Sequence, residues 1–288
     1  MTERLSDAEA RIASVQQISS VIGAMRGIAA VRAREAREHL AGIRAYAQTL
    51  AGAIGQALAL APPPPSAGPE DHTGHAVIAL CAEQGFAGAF SAHVLDEAEK
   101  AITAAGSADN ALLLVGARGL AAAVERGLAV SWSTPMVAHA NLATVLANRI
   151  ADALYARLDA GRTGRVTVVH ALPGTTVALR IVTRRLVPFD YGRFPARAGA
   201  TTPLLTLPPP VLLARIAEEY VFAELCEAVT LSFAAENEAR MRAMLVARTN
   251  VGKTLENLQA RARQLRQEEI TSEIVELAGG AAASLSAR

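Results

Sequence analysis

Glu236–Leu277 reads ENEARMRAMLVARTNVGKTLENLQARARQLRQEEITSEIVEL, and it lies in a stretch with no proline after Pro210 and only Gly252 as an interior glycine before Gly279. Ala, Leu, Glu, Arg and Gln dominate it, all good helix formers. Met241, Met244, Val251, Leu255, Leu258, Ala262 and Leu265 recur at intervals of three, four and one of seven, the spacing of a helical stripe. Past Leu265 the stripe slips by one residue to Ile270, Ile274, Leu277 and Ala281. A helix running from the triple proline Pro208–Pro210 to about residue 280 would be ~105 Å long at ~1.5 Å per residue. A domain of this size cannot hold such a rod inside, so the helix is expected to project and to need a partner for its stripe.

The other end of the chain supplies one. Residues 1–60 contain no proline, and Leu5, Ala8, Ile12, Val15, Ile22, Met25, Ala29, Ala36, Ile43, Leu50 and Ile54 follow a coiled-coil period with small residues in the seam. Thr2, Glu3 and Asp7 put capping and acidic residues at the positive end of the helix dipole. The outer face carries Arg32, Arg34, Glu35, Arg37 and Glu38, read as a solvated face or as a charged surface for acidic partner loops. Pro62–Pro65, Ser66, Gly68 and Pro69 then mark a stop and a linker.

Between the helices the pattern changes. His75–Ala82, Ala111–Val115 and Leu128–Ser133 read as strands, alternating with helices over Ala89–Ala105, up to Glu125, and Asn141–Asp159 with Asn141 near its cap. Val166–His170 and Val177–Leu186 read as an antiparallel pair joined by a Pro173-Gly174 turn. Alternating strands and helices imply a largely parallel sheet. The expectation is an α/β fold: an antiparallel coiled coil of long N- and C-terminal helices with an inserted Rossmann-like α/β domain. Its parts are a helix at 1–60, a linker at 61–74, an α/β foot at 75–195, a loop at 196–207 and a helix at 208–288. That form suits a lever or shaft; no catalytic cleft follows from it.

Composition narrows function. The formal charge is +1, hydrophobic residues make up 51% and charged residues 19%, which argues against a nucleic-acid partner and against disorder; lysine occurs only at Lys100 and Lys253, a bias that points to no function. Cys81 and Cys226 sit in apolar contexts without metal or disulfide spacing, as buried small hydrophobes do. No signal peptide and no apolar run of ~20 residues is legible, so the expectation is a soluble, cytoplasmic protein. The six histidines are scattered, and no GxSxG or HExxH occurs. ARTNVGKT at Ala247–Thr254 satisfies a loose phosphate-loop pattern, making a nucleotide-binding protein through Gly252-Lys253-Thr254 one alternative. The stripe runs in phase through it, however, and a continuous helix has no free N–H groups for phosphate. Gly252 is read instead as a point of close approach or slight bending. CAEQGFAGAF at Cys81–Phe90 resembles a dinucleotide turn without the full GxGxxG. A free-standing coiled-coil adaptor is the other alternative.

The termini carry a family resemblance. RIASVQQISSVIGAM at Arg11–Met25, with Ala29-Ala30 beyond, resembles the N-terminal signature of the gamma subunit of F-type ATP synthases, and RQEEITSEIVELAGGAAA at Arg266–Ala283 resembles its C-terminal signature. EYVFAEL at Glu219–Leu225, ENEARMRAM at Glu236–Met244 and the turn QGFAGA at Gln84–Ala89 are also similar. Ser20 and Gly23 stand where the family usually has lysines, Glu83-Gln84 replaces the usual acidic–basic pair, and Ala87, Ser91 and His93 replace the turn's cysteine and asparagines. The resemblance is therefore to a divergent member, without the redox insert of plant forms.

The resemblance implies a central stalk rotor. Its coiled coil would sit inside a hexamer of alpha and beta subunits, with its foot on the c-ring and epsilon alongside, coupling transmembrane ion flow to ATP synthesis or hydrolysis. It implies contact with the beta subunit at Met25, Arg266, Gln267 and Thr271. It implies a hexamer sleeve around Ile274, Leu277, Ala281, Ala282 and Ala283. It implies no catalytic residue, metal or cofactor in this chain, and a peripheral place on the cytoplasmic face of the bacterial inner membrane.

Overall fold

The computed structural model describes residues 5–60, 74–106, 109–174, 179–196 and 204–286, with side chains described through Ala278. Thr2, Glu3, most of the proline-rich linker and part of the return loop lie outside the described residues. The first helix, α1, spans Leu5–Leu60 with Asp7 in its first turn. The last, α5, spans Pro209–Ser286. Between them come β1 (His75–Leu80), α2 (Phe90–Ala105), β2 (Asn110–Val115), α3 (Ala117–Glu125), β3 (Val130–Thr134), α4 (Ala143–Asp159), β4 (Arg165–Leu172) and β5 (Arg180–Val187).

The chain divides into two compact units, one of residues 29–241 and one of the N-terminal 28 residues with residues 242–288. In the first, the sheet order is β3-β2-β1-β4-β5. β1 pairs in parallel with β2 and β4, β2 in parallel with β3, and β5 runs antiparallel to β4. β1 is buried along its whole length, which is why HAVIAL is an unbroken apolar run rather than an alternating one. The edge strand β3 alternates between half-buried and exposed residues, as an edge with one wet face should.

Each sheet face has its own core. Val77, Ala79, Leu112, Leu114 and Val169 pack under α2 and α3 with Phe90, Val94 and Leu95. Ile78, Leu80, Leu113, Val166 and Val168 pack under α4 and α5 with Leu146, Ile150, Leu225, Val229 and Phe233, and Ala36 of α1 joins them. Gly119 lets α3 close on the first layer, because a Cβ there would overlap Cys81.

Three details differ from the sequence reading. A 3-10 turn at Ala140–Leu142 precedes α4, and neither it nor α4 has a side-chain cap, so Asn141 does not cap the helix. The fifth strand begins at Arg180, and Val177 lies outside the described residues. An added Cβ at Gly252 would meet nothing within 4 Å, so no close approach explains that glycine.

In the second unit, Ala8 of α1 packs with Ala262 and Leu265 of α5, flanked by Leu5 and Ile12. Glu9 and Arg266 pair across the same two helices at 2.7 Å. The alanines keep the helices close, and the salt bridge adds little at this exposure.

Candidate functional site

In an open α/β sheet, ligands enter the crevice beyond the carboxyl ends of the strands where the winding reverses. Here that place is between β1 and β4, and α5 fills it. Ser232 Oγ donates to Leu80 O at 3.0 Å. Arg240 donates through Nε to Gly85 O at 3.2 Å and through Nη2 to Gln84 O at 3.4 Å. Glu236 accepts from Gln84 N at 3.4 Å and pairs with Arg240. Arg240 Nη1 also donates to Asn237 Oδ1 at 3.0 Å, and Asn237 Nδ2 to Phe233 O at 2.9 Å. From the β4 side, Gly174 N donates to Glu238 Oε2 at 2.9 Å.

These α5 side chains are buried, Glu236 at 3% and Arg240 at 5% exposure. Burial pushes the Glu236 carboxyl up while Arg240 pulls it down, with the net direction upward. Such groups are kept only when each has a partner, and here each does. Glu83 Oε2 closes the neighbouring turns, accepting from Ala117 N at 3.0 Å and Met136 N at 2.8 Å. Of the N–H groups a phosphate would need at this turn, that of Gln84 is already given to Glu236, and Arg240 holds the Gln84 and Gly85 carbonyls, so α5 closes over the turn.

A second set of contacts holds α5 to its other neighbours in the same unit. Arg37, Arg44 and Tyr46 of α1 meet Glu238, Glu227 and Glu219 of α5, so the two helices run antiparallel. The hydrogen bond to Glu219 pushes the Tyr46 phenol up to about 12. Arg184 of β5 and Arg193 reach the buried Glu224 at 3.4 and 2.8 Å. Of the charged outer face of α1, Arg37 is engaged within the chain, and Arg34 pairs with Glu38 at 3.7 Å.

The residues singled out from the sequence are on the helices rather than in a pocket. Met25 is half-buried on α1. Arg266, Gln267 and Thr271 are exposed on α5; Arg266 pairs with Glu9, and Thr271 Oγ1 returns to Gln267 O at 2.7 Å. The stripe is buried or half-buried from Met241 to Leu265 and exposed beyond it. Ile270, Ile274, Val275 and Leu277 are 49%, 60%, 64% and 75% exposed. The side chains of Ala281, Ala282 and Ala283 lie outside those described.

Ala247–Thr254 is plain helix, with Thr249 and Thr254 hydroxyls donating to the carbonyls of Leu245 and Asn250. The phosphate-loop alternative therefore falls. Cys81 and Cys226 are free and buried, and burial pushes both thiols up to about 12. Among the described residues, no group of His, Cys, Asp or Glu could hold a metal ion, and no helix is long and apolar enough to cross a membrane. The switch-point clasp went unread as a site in the sequence. Its signal is there: Ser232, Glu236 and Arg240 put polar groups every fourth residue into an apolar helical run.

Long terminal helices that pair with each other, one of them filling the switch-point crevice of an inserted doubly wound sheet, define the architectural class of this chain. The family model for ATP synthase matches residues 4–284. The chain is 30% identical to the ATP synthase gamma chain of Frankia casuarinae, covering 98% of both chains. It is 28% identical to that of Chlorobium luteolum, covering 96% of this chain and 97% of the relative. Among solved structures, a chain of the Euglena gracilis mitochondrial ATP synthase (OSCP/F1/c-ring, rotational state 3) has the same fold, with TM-score 0.66, 12% identity and coverage of 97% and 94%. A chain of the Tetrahymena thermophila central stalk and c-ring structure aligns with TM-score 0.56 at 17% identity, covering 79% of this chain and 99% of that one. The chain belongs to the ATP synthase gamma-chain family. The free-standing adaptor reading has no support beside this.

Proposed function

We propose that this chain is the central rotor shaft of a rotary ATP synthase or ATPase, coupling transmembrane ion flow to ATP synthesis or hydrolysis at an alpha–beta hexamer. It performs no chemistry itself; the ATPase activity belongs to the assembly. Residues 75–195 form the foot, between helices 1–60 and 208–288, and meet the c-ring with epsilon alongside. The complex sits at the cytoplasmic face of the bacterial inner membrane, and this chain is peripheral there, held by its partners.

One observation carries the reading: α5 continues past Leu265 with its large apolar side chains exposed. An uncovered apolar helix face marks an interaction site. A face of Ile, Val, Leu and small residues can turn in an apolar sleeve without breaking directional bonds. Ile274, Leu277, Ala281, Ala282 and Ala283 occupy that sleeve. Met25, Arg266, Gln267 and Thr271 meet the beta subunit, the polar three through hydrogen bonds that break and re-form at each step.

The test is Ile274→Asp with Leu277→Asp in the reconstituted enzyme. Both side chains are exposed, so the free chain should keep its stability within ~0.5 kcal/mol. Coupled ATPase should fall severalfold. A fully active complex with the double variant, or one lacking the chain altogether, would overturn the proposal.

A further inference from the structure

β4 and β5 meet α5 along a seam that contains a polar group without a partner among the described residues. His170 of β4 is fully buried, opposite Val182 of β5. Its Nδ1 lies 3.2 Å from Ala171 O. A carbonyl only accepts, so Nδ1 carries the proton, and Nε2 is a bare lone pair. That Nε2 is sealed from solvent and has no hydrogen-bond partner among the described residues. An unpaired buried acceptor costs free energy and needs a reason.

The surroundings supply one. The charged groups that act on the imidazole are Arg184 of β5 and Glu227 of α5. Glu227 is already shared, with Arg44 of α1 at 2.9 Å and Arg184 at 3.5 Å. Arg184 also leans on Glu224, which holds Arg193. On β1 the paired register reaches Ala79 opposite Val169, one residue short of His170, and the side chains there are apolar. A proton on Nε2 would add a third cation to a carboxylate serving two, and would stand beside Arg184. Burial is the main cause holding this imidazole below its ordinary range, with Arg184 adding to it and the Ala171 carbonyl and Glu227 opposing.

We propose that His170 is an acid-release latch: proton uptake at its buried Nε2 loosens the seam that ties β4 and β5 to α5 and, through Glu227 and Arg44, to α1. Where this chain works as a rotor, which is the reading this part rests on, the loosened seam lets the foot slip against α5 in acid. ATP hydrolysis then outruns ion pumping.

The seam is read directly by native-state hydrogen exchange on the full chain. Protection of β5 (Arg180–Val187) is compared with that of β2 (Asn110–Val115) at pH 7.5 and 5.5, corrected for intrinsic rates, in the wild type and in His170→Gln and His170→Phe. An imidazole that titrates at about 6.5 when released, and is shielded when folded, yields at most about tenfold more opening at pH 5.5. The wild type should lose up to that factor in β5 relative to β2, and both variants should lose none. A merely structural role shifts a variant's protection equally at both pH values. Equal pH dependence in wild type and variants overturns the latch. The ratio of pumping to hydrolysis in the reconstituted enzyme should fall severalfold at pH 5.5 in the wild type only. Absence of ATP-driven pumping at pH 8 in every form would instead sink the rotor reading, leaving the exchange result to decide the latch.

Discussion

Arg240→Ala should unfasten the clasp between α5 and the sheet. Arg240 is buried, holds Glu236, and donates to Gly85 O, Gln84 O and Asn237 Oδ1. Its removal leaves the Glu236 carboxylate sealed with two backbone N–H donors, Gln84 at 3.4 Å and Glu83, and no counter-charge in place of the guanidinium. Losing one partner of a buried ion pair costs ~3–5 kcal/mol. For a unit of this size that is a fall in Tm of about 6–20 °C. The assay is thermal unfolding of the full chain followed by fluorescence. The single tryptophan, Trp132, sits on β3 and reports on the sheet. If the penalty is the stranded charge and not a general packing loss, Glu236→Leu with Arg240→Met should recover at least about half of the lost stability. The reasoning fails if Arg240→Ala moves Tm by less than about 2 °C, a shift smaller than 1 kcal/mol gives at this size. It fails equally if the double variant is no more stable than the single.

Gly119→Ala should destabilise the α/β unit by ~1–3 kcal/mol, because the new Cβ overlaps Cβ and Sγ of the buried Cys81; urea denaturation checks it. Gly252→Ala should do the opposite, adding ~0.5–1 kcal/mol in the same assay, since the site is helical and open. The buried His75 is held below its ordinary range by burial and then by Arg165. The unfolded chain therefore takes up a proton near pH ~6.5 that the fold resists, so stability is complete above that pH and falls as the solution is acidified through it. His75→Gln should flatten the urea midpoint between pH 7.5 and 5.5 relative to the wild type.

The long helices were legible because proline is absent from residues 1–60 and after Pro210, and the apolar stripe repeats for many turns. The strands were legible from unbroken apolar runs such as HAVIAL, with the starts of the edge strands off by two residues at Val130 and by three at Arg180. The start of α4 was misread because Asn141 is a good capping residue by type, yet a 3-10 turn places it before the helix without a cap bond. The clasp left a spacing signal in the sequence but not its meaning, for a different reason. Glu236, Glu238 and Arg240 look like solvated charges on a helix, and only their meeting with Gln84, Gly85 and Gly174, far away in sequence, shows that they are buried. Periodicity reports which face a residue is on, not what lies against it.

The uncovered end of α5 also bears on how the chain must be made. Isoleucine, valine and leucine presented on a free helix adhere to one another as readily as to a proper host. Surplus copies, synthesised beyond the supply of the other subunits, would clump or be degraded. Four side chains on α5 thus tie the solubility of the free chain to the presence of a surface that covers them.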